Sequence, residues 1–168
     1  MPASYQQVLR HLLATVGKET GYTAPEEIGR AAFRFYSMAV QDANPIYVNQ
    51  AAAKAVGLRD VAAPPTLVCE THQLINEDMN EQGYPTSMAH DALGGLLRAG
   101  NSYEFFQPVH PDDVITVKSK VIKVSEKASR TNRLIFRDTE ISYYNQHGQL
   151  LAKNIETMVA RFPAEASS

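Results

Sequence analysis

A carboxylate and a phenol, Asp42 and Tyr47, stand on either side of a proline in the stretch Gln41-Asp42-Ala43-Asn44-Pro45-Ile46-Tyr47. At pH 7 a free carboxylate, with a pKa of about 3.9, is ionised and can accept a proton or orient a water molecule. A free tyrosine, with a pKa of about 10, is phenolate in only about one part in a thousand. Making Tyr47 a base needs a downward shift of about 3 units, or about 4 kcal/mol of local stabilisation. No cation lies beside it in sequence to supply that. The chemistry open to the pair is therefore Asp42 as base and Tyr47 as hydrogen-bond donor. The plainer reading is turn chemistry. Asp and Asn side chains bond to nearby backbone, Pro45 cannot continue a helix, and Tyr47 is then a packing aromatic.

The other chemistry-bearing residues are scattered. His72 falls one turn past Val68 on a predicted helix. His90 and Arg98 flank the Gly94-Gly95 pair. His110 and His147 sit in turns and read as surface. Cys69, the single cysteine, reads as core. No His, Cys, Asp and Glu spacing matches a metal site. There is no Gly-rich phosphate loop and no G-x-S-x-G elbow.

Helices must position the Asp42 turn. Residues 4–16 place Val8, Leu9, Leu12, Leu13 and Val16 on one stripe, with Ser4 as N-cap and Gly17 as C-cap, which predicts an amphipathic helix packed on the outside of the domain. Residues 25–28 predict a short strand ending near Gly29. Residues 30–41 predict a well-buried helix with Ala32, Phe33, Tyr36, Ala39 and Val40 on its apolar face and Phe35 beside it. This helix runs into the Asp42 turn. Residues 49–56 predict a short Ala-rich helix closed by Gly57. Residues 58–65 run extended. Pro65 then opens a helix over 66–81, buried along Leu67, Val68, Leu74, Ile75 and Met79.

Strand character begins after residue 100. Residues 101–107 end at Pro108. Residues 113–125 alternate, with Ile115, Val117, Ser119 and Val121 on one face and Lys118 and Lys120 on the other. Residues 134–144 and 150–162 flank the turn Asn145-Gln146-His147-Gly148. The short connections make this meander antiparallel. Helices followed by an antiparallel sheet, which the early strand is free to join, is an α+β arrangement.

A chain of this length is one domain, 1–168, with its last residues (163–168) frayed. The net charge of −2 leaves no electrostatic footprint for nucleic acid. No apolar run approaches the roughly 20 residues that span a bilayer. The N-terminus lacks a signal-peptide pattern, and one cysteine fits a reducing cytoplasm.

Three segments in order resemble the MaoC-like hydratase/dehydratase family. One is the helix ending in Asp42-Ala43-Asn44-Pro45-Ile46-Tyr47, similar to the family's Asp-x-Asn-Pro-(Leu/Ile)-His. The second runs from Gly57 to Ala63-Pro64-Pro65-Thr66. The third runs from Leu97 through Tyr103, Phe105, Phe106 and Pro108 to Asp112-Asp113, where the family has Gly-Asp. The resemblance implies a hot-dog fold, an antiparallel sheet wrapped around a central helix. It also implies an acyl thioester ligand, carried on CoA or acyl carrier protein, and hydration or dehydration without a cofactor or metal. The family's catalytic pair falls on Asp42 and on Tyr47, which replaces the histidine. Such a replacement is common in the substrate-binding half or subunit of these enzymes. It implies a dimer, with a second copy or with a hot-dog subunit carrying Asp-x-Asn-Pro-x-His. The helix opening at Pro65 directs backbone N–H groups of Thr66 and Leu67 toward a docked thioester carbonyl. Asn44, Pro65, Thr66, Leu67, His72 and Arg98 are the expected substrate-side residues. Lys118, Lys120, Lys123, Lys127 and Arg130 are candidates to meet acidic phosphates or a carrier helix, against a plain solvated strand face. A self-sufficient homo-oligomeric dehydratase of a biosynthetic pathway and a hot-dog thioesterase remain the alternatives.

Overall fold

The computed structural model describes residues 4–70 and 97–164. The described chain is α1 (Tyr5–Leu13), β1 (Glu19–Thr23), α2 (Arg30–Ala39), a 3₁₀ turn (Pro45–Tyr47), α3 (Gln50–Ala55), α4 (Leu67–Glu70), β2 (Leu97–Phe105), β3 (Thr116–Ala128), β4 (Asn132–Tyr144) and β5 (Leu150–Pro163). The strands form one five-stranded sheet in the order β1-β3-β4-β5-β2, every neighbour antiparallel. This is the α+β arrangement expected from the sequence.

Strand alternation gives the sheet an inner face that packs against the helices and an outer face toward solvent. The inner face carries two apolar clusters. The first joins Phe33 of α2 and Val68 of α4 to Val117, Ile141, Tyr143 and Ala152. The second joins Tyr5, Val8 and Leu12 of α1 to Ile135 and Ala160. A bulge between Val121 and Lys123 adds one residue to β3. It keeps Val117, Ser119, Val121 and Val124 facing inward and turns Lys118, Lys120, Lys123 and Lys127 outward. These lysines and Arg130 are exposed. Glu140 and Asp138 lie directly opposite Lys120 and Lys123.

Four expectations change. The early strand is Glu19–Thr23, not 25–28, because β1 takes its register from β3, pairing Thr20 with Ser119. Helix α1 starts on a capping box between Ser4 and Gln7 but ends at Leu13, capped by Ala14, short of Gly17. Leu13 and Val16 are accordingly exposed. Helix α2 buries Phe33 and Ser37 but leaves Phe35, Met38, Ala39 and Val40 out, so only one side of it meets the core. His110 is buried rather than on the surface. The loop carrying it folds under 58–65: Ala63 N–H donates to the Val109 carbonyl at 2.8 Å. The helix predicted over 66–81 is described only as Leu67–Glu70. Its remainder, with Leu74, Ile75, Met79 and His72, lies outside the described residues, as do His90 and Gly94-Gly95.

Candidate functional site

Helix α2 delivers Asp42 through a tight reversal. Val40 caps the helix, and Gln41 takes φ +58°. That left-handed conformation is costly for a residue with a β-carbon. Beyond it the Asp42 N–H donates to the Ser37 carbonyl at 3.0 Å, and the Ser37 hydroxyl donates to the Asp42 carbonyl. The two residues thus lock the end of α2 to the turn. The turn then builds itself from its own side chains. Asn44 N–H donates to Asp42 Oδ1 at 3.1 Å, and Ile46 N–H donates to Asn44 Oδ1 at 3.2 Å. Asn44 caps the 3₁₀ turn, with Pro45 in its first position.

That geometry brings the two sequence candidates together. Tyr47 Oη donates to Asp42 Oδ2 at 3.2 Å. One Asp42 oxygen serves the turn and the other accepts from Tyr47. Asp42 itself is exposed, whereas Tyr47 is only 6% exposed. Burial, then the Asp42 charge and hydrogen bond, push the Tyr47 phenol above its ordinary value. A shift in that direction opposes phenolate formation. Tyr47 holds its proton here.

Tyr47 also lines an apolar cavity of about 300 Å³ with Ile46, Pro65, Val68, Phe105, Phe106 and Leu151. The extended segment 58–65 forms one wall and is fastened at several points. Asp60 Oδ1 accepts the Val61 N–H at 2.6 Å, and its Oδ2 pairs with Arg30. Arg59 reaches Asp112 at 2.7 Å and Asp113 at 3.5 Å. Asp113 in turn accepts the His110 N–H at 2.7 Å. Asp112, where the resembled motif has glycine, thus serves as a partner for Arg59. His110 Nδ1 lies 3.0 Å from the Val61 carbonyl. A carbonyl only accepts, so Nδ1 carries the proton.

At the start of α4, the Leu67 N–H already donates to the Pro64 carbonyl at 2.9 Å. Thr66 is the remaining backbone donor of the pair singled out from sequence. Its hydroxyl lies 2.9 Å from Tyr36 Oη, a contact the sequence did not suggest because Tyr36 reads as part of an apolar stripe. Arg98 pairs with Glu156 at 2.9 Å on β5, and is occupied by the sheet itself. Cys69 is buried, and its carbonyl accepts from Tyr143 Oη at 3.3 Å. Among the described residues no cluster of His, Cys, Asp and Glu is arranged to hold a metal.

Comparison with known proteins places this architecture. The family model of the FAS1-like dehydratase domain region matches residues 14–154. A UPF0336 protein of Streptomyces coelicolor is 30% identical over 156 residues, covering 90% of this chain and 95% of the relative. A probable enoyl-CoA hydratase alpha subunit of Thermomonospora curvata is 26% identical over 154 residues, covering 85% of this chain and 48% of that protein. Among solved structures, the ChsH1-ChsH2 complex of Mycobacterium tuberculosis matches at a TM-score of 0.72 and 19% identity, over 97% of this chain and 94% of the matched one. The HadBC (3R-hydroxyacyl-ACP dehydratase) complex of the same organism matches at 0.65 and 18%, over 85% and 96%. The structural likenesses identify the fold as the hot-dog, and the family match spans most of the sequence: the chain belongs to the FAS1-like dehydratase region family, of MaoC-like hot-dog architecture.

Proposed function

We propose that this protein binds acyl thioesters, 2-enoyl or 3-hydroxyacyl groups on CoA or acyl carrier protein, as the substrate-binding subunit of a dimeric hydratase or dehydratase. The observation that carries the reading is the Tyr47 hydroxyl on Asp42. An imidazole at position 47 would shuttle a proton near neutral pH. A phenol with a raised pKa does not. The apolar cavity beside Tyr47, lined in part by Pro65, suits an acyl chain, and in this reading the Thr66 N–H donates to the thioester carbonyl.

The partner in this reading is a hot-dog subunit that carries the complete Asp-x-Asn-Pro-x-His motif. Two features support a partner of this kind. The relatives of known structure in HadBC and ChsH1-ChsH2 are two-component complexes. The edge strand β2 is exposed along most of its length and carries the exposed Leu97 and Phe105. A bare apolar edge of this kind is normally covered. Among the described residues no helix is long and apolar enough to cross a membrane.

The exposed carboxylate of Asp42 supports a second reading, a self-sufficient homo-oligomer. In it Asp42 takes the proton of an attacking water and Tyr47 donates to the substrate. Turnover of crotonyl-CoA and a longer 2-enoyl-CoA by the purified chain, beside its Asp42→Asn variant, separates the two. Thioester binding without turnover is expected. Turnover by the isolated chain that vanishes in Asp42→Asn would replace the subunit reading with the second.

A further inference from the structure

On the inner face of the sheet, register places Val121, Thr139, Glu156 and Asn101 in one row across β3, β4, β5 and β2. This largely polar row, where core is expected, runs between the two apolar clusters. Two arginines and one carboxylate meet along it. Arg98 takes the carboxylate, reaching Glu156 at 2.9 Å. Arg137 lies on the same face of β4, two residues from Thr139. Among the described residues its buried Nε–H has no hydrogen-bond partner, and neither has the Thr139 hydroxyl. Thr139 is 6% exposed. Buried polar groups without partners are rare in folded proteins. Both residues line a cavity of about 180 Å³, together with Lys18, Thr20, Ser119 and Glu156.

We propose that this cavity binds a small oxyanion, a carboxylate or phosphate group, held by Arg137 and Lys18 with hydroxyl donors from Thr139, Thr20 and Ser119. The charge balance points this way. Glu156 is shared between Arg98 and Arg137, and with the exposed Lys18 the cavity lining carries more positive than negative charge. Burial holds the Arg137 guanidinium below its ordinary pKa, and Glu156 offsets this only in part. Water alone satisfies the donors but brings no negative charge to the half-buried Arg137 guanidinium. Asp138, the neighbouring carboxylate on β4, points to the opposite face and accepts the Thr157 hydroxyl at 2.8 Å. The cavity shares no lining residue with the one beside Tyr47, so the site is separate from the thioester reading.

The test is thermal unfolding of the full chain, titrated with inorganic phosphate or with malonate against chloride at matched ionic strength. A saturable rise in midpoint is expected from at least one of the oxyanions. Apparent affinity should fall at least tenfold in Arg137→Met and in Thr139→Val. It should stay unchanged in Lys153→Met, which alters the outer face. A response to phosphate alone assigns a phosphate group, and a response to malonate alone assigns a carboxylate. A rise equal in all variants, or no rise beyond chloride, overturns the site and leaves the cavity to water. Should the variants fail to fold, the unsubstituted chain still decides. The proton resonance of the Arg137 Nε–H must shift on addition of the bound oxyanion, and an unmoved resonance refutes the proposal.

Discussion

At Tyr47 a single side chain sets the chemical capacity of the turn. Its hydroxyl is spent on Asp42, and burial keeps it protonated. The pH consequence has a definite sign. A phenol whose folded pKa is raised contributes stability that is fully present below its unfolded value, about 10, and is lost as pH rises through the folded pKa. Tyr143, buried against Cys69, is pushed up as well and adds to the same loss. Denaturant titrations from pH 8 to 11 should therefore show stability falling above about pH 10. Tyr47→Phe should flatten that fall while lowering stability near neutrality by about 1 kcal/mol, the usual worth of one hydrogen bond. An unchanged alkaline limb in that variant would mean that Tyr47 ionises as freely in the folded chain as in the unfolded one.

At the scale of elements, the site depends on how α2 stops. The helix must reverse within a few residues to bring Asp42 back under Ser37, and Gln41 adopts a left-handed conformation to do so. Glycine takes that conformation without penalty. Gln41→Gly should stabilise the protein by roughly 0.5–1 kcal/mol, the left-handed penalty less the entropy of a freer unfolded chain. The next element makes the opposite comparison. Asn49 Oδ1 caps α3 by accepting from Ala51 N–H at 2.9 Å and Ala52 N–H at 3.2 Å. Asn49→Ala should cost about 1 kcal/mol. Urea midpoints of the two variants should move in opposite directions, and a Gln41→Gly variant less stable than its parent would show that the Gln41 side chain matters more than its backbone.

Over the whole molecule, ion pairs tie the extended 58–65 segment to distant parts of the chain. Burial works against ionisation of Asp60, but the Val61 N–H and Arg30 outweigh it and hold its pKa below the usual value. Arg59 does the same for Asp112. Depressed carboxylates contribute stability that is present above the unfolded pKa, about 3.9, and lost as pH falls through the folded values. An acid limb below about pH 4 is expected, and it should be shallower in Asp60→Asn. A limb of equal steepness in that variant would assign acid unfolding to other groups.

Much of this protein is legible from residue order because it rests on local rules. The capping signal at Ser4 marks a helix start, since a side-chain oxygen there satisfies N–H groups that no helix can satisfy itself. The antiparallel meander follows from short connections, and the Asp42 and Tyr47 pair from turn chemistry five residues long. Position 28 could not reveal that the early strand lies upstream, because β1 owes its existence to an edge of β3 about a hundred residues away. Nor could periodicity tell that Phe35 faces solvent or that His110 is buried. Which side of a helix is covered, and which turn folds beneath another segment, depends on what packs there. The same holds for the partnering of Arg98 with Glu156 and for the Arg137 Nε–H left without a hydrogen bond among the described residues. Charge along a chain is local, but its compensation is decided only when strands far apart in sequence are set side by side.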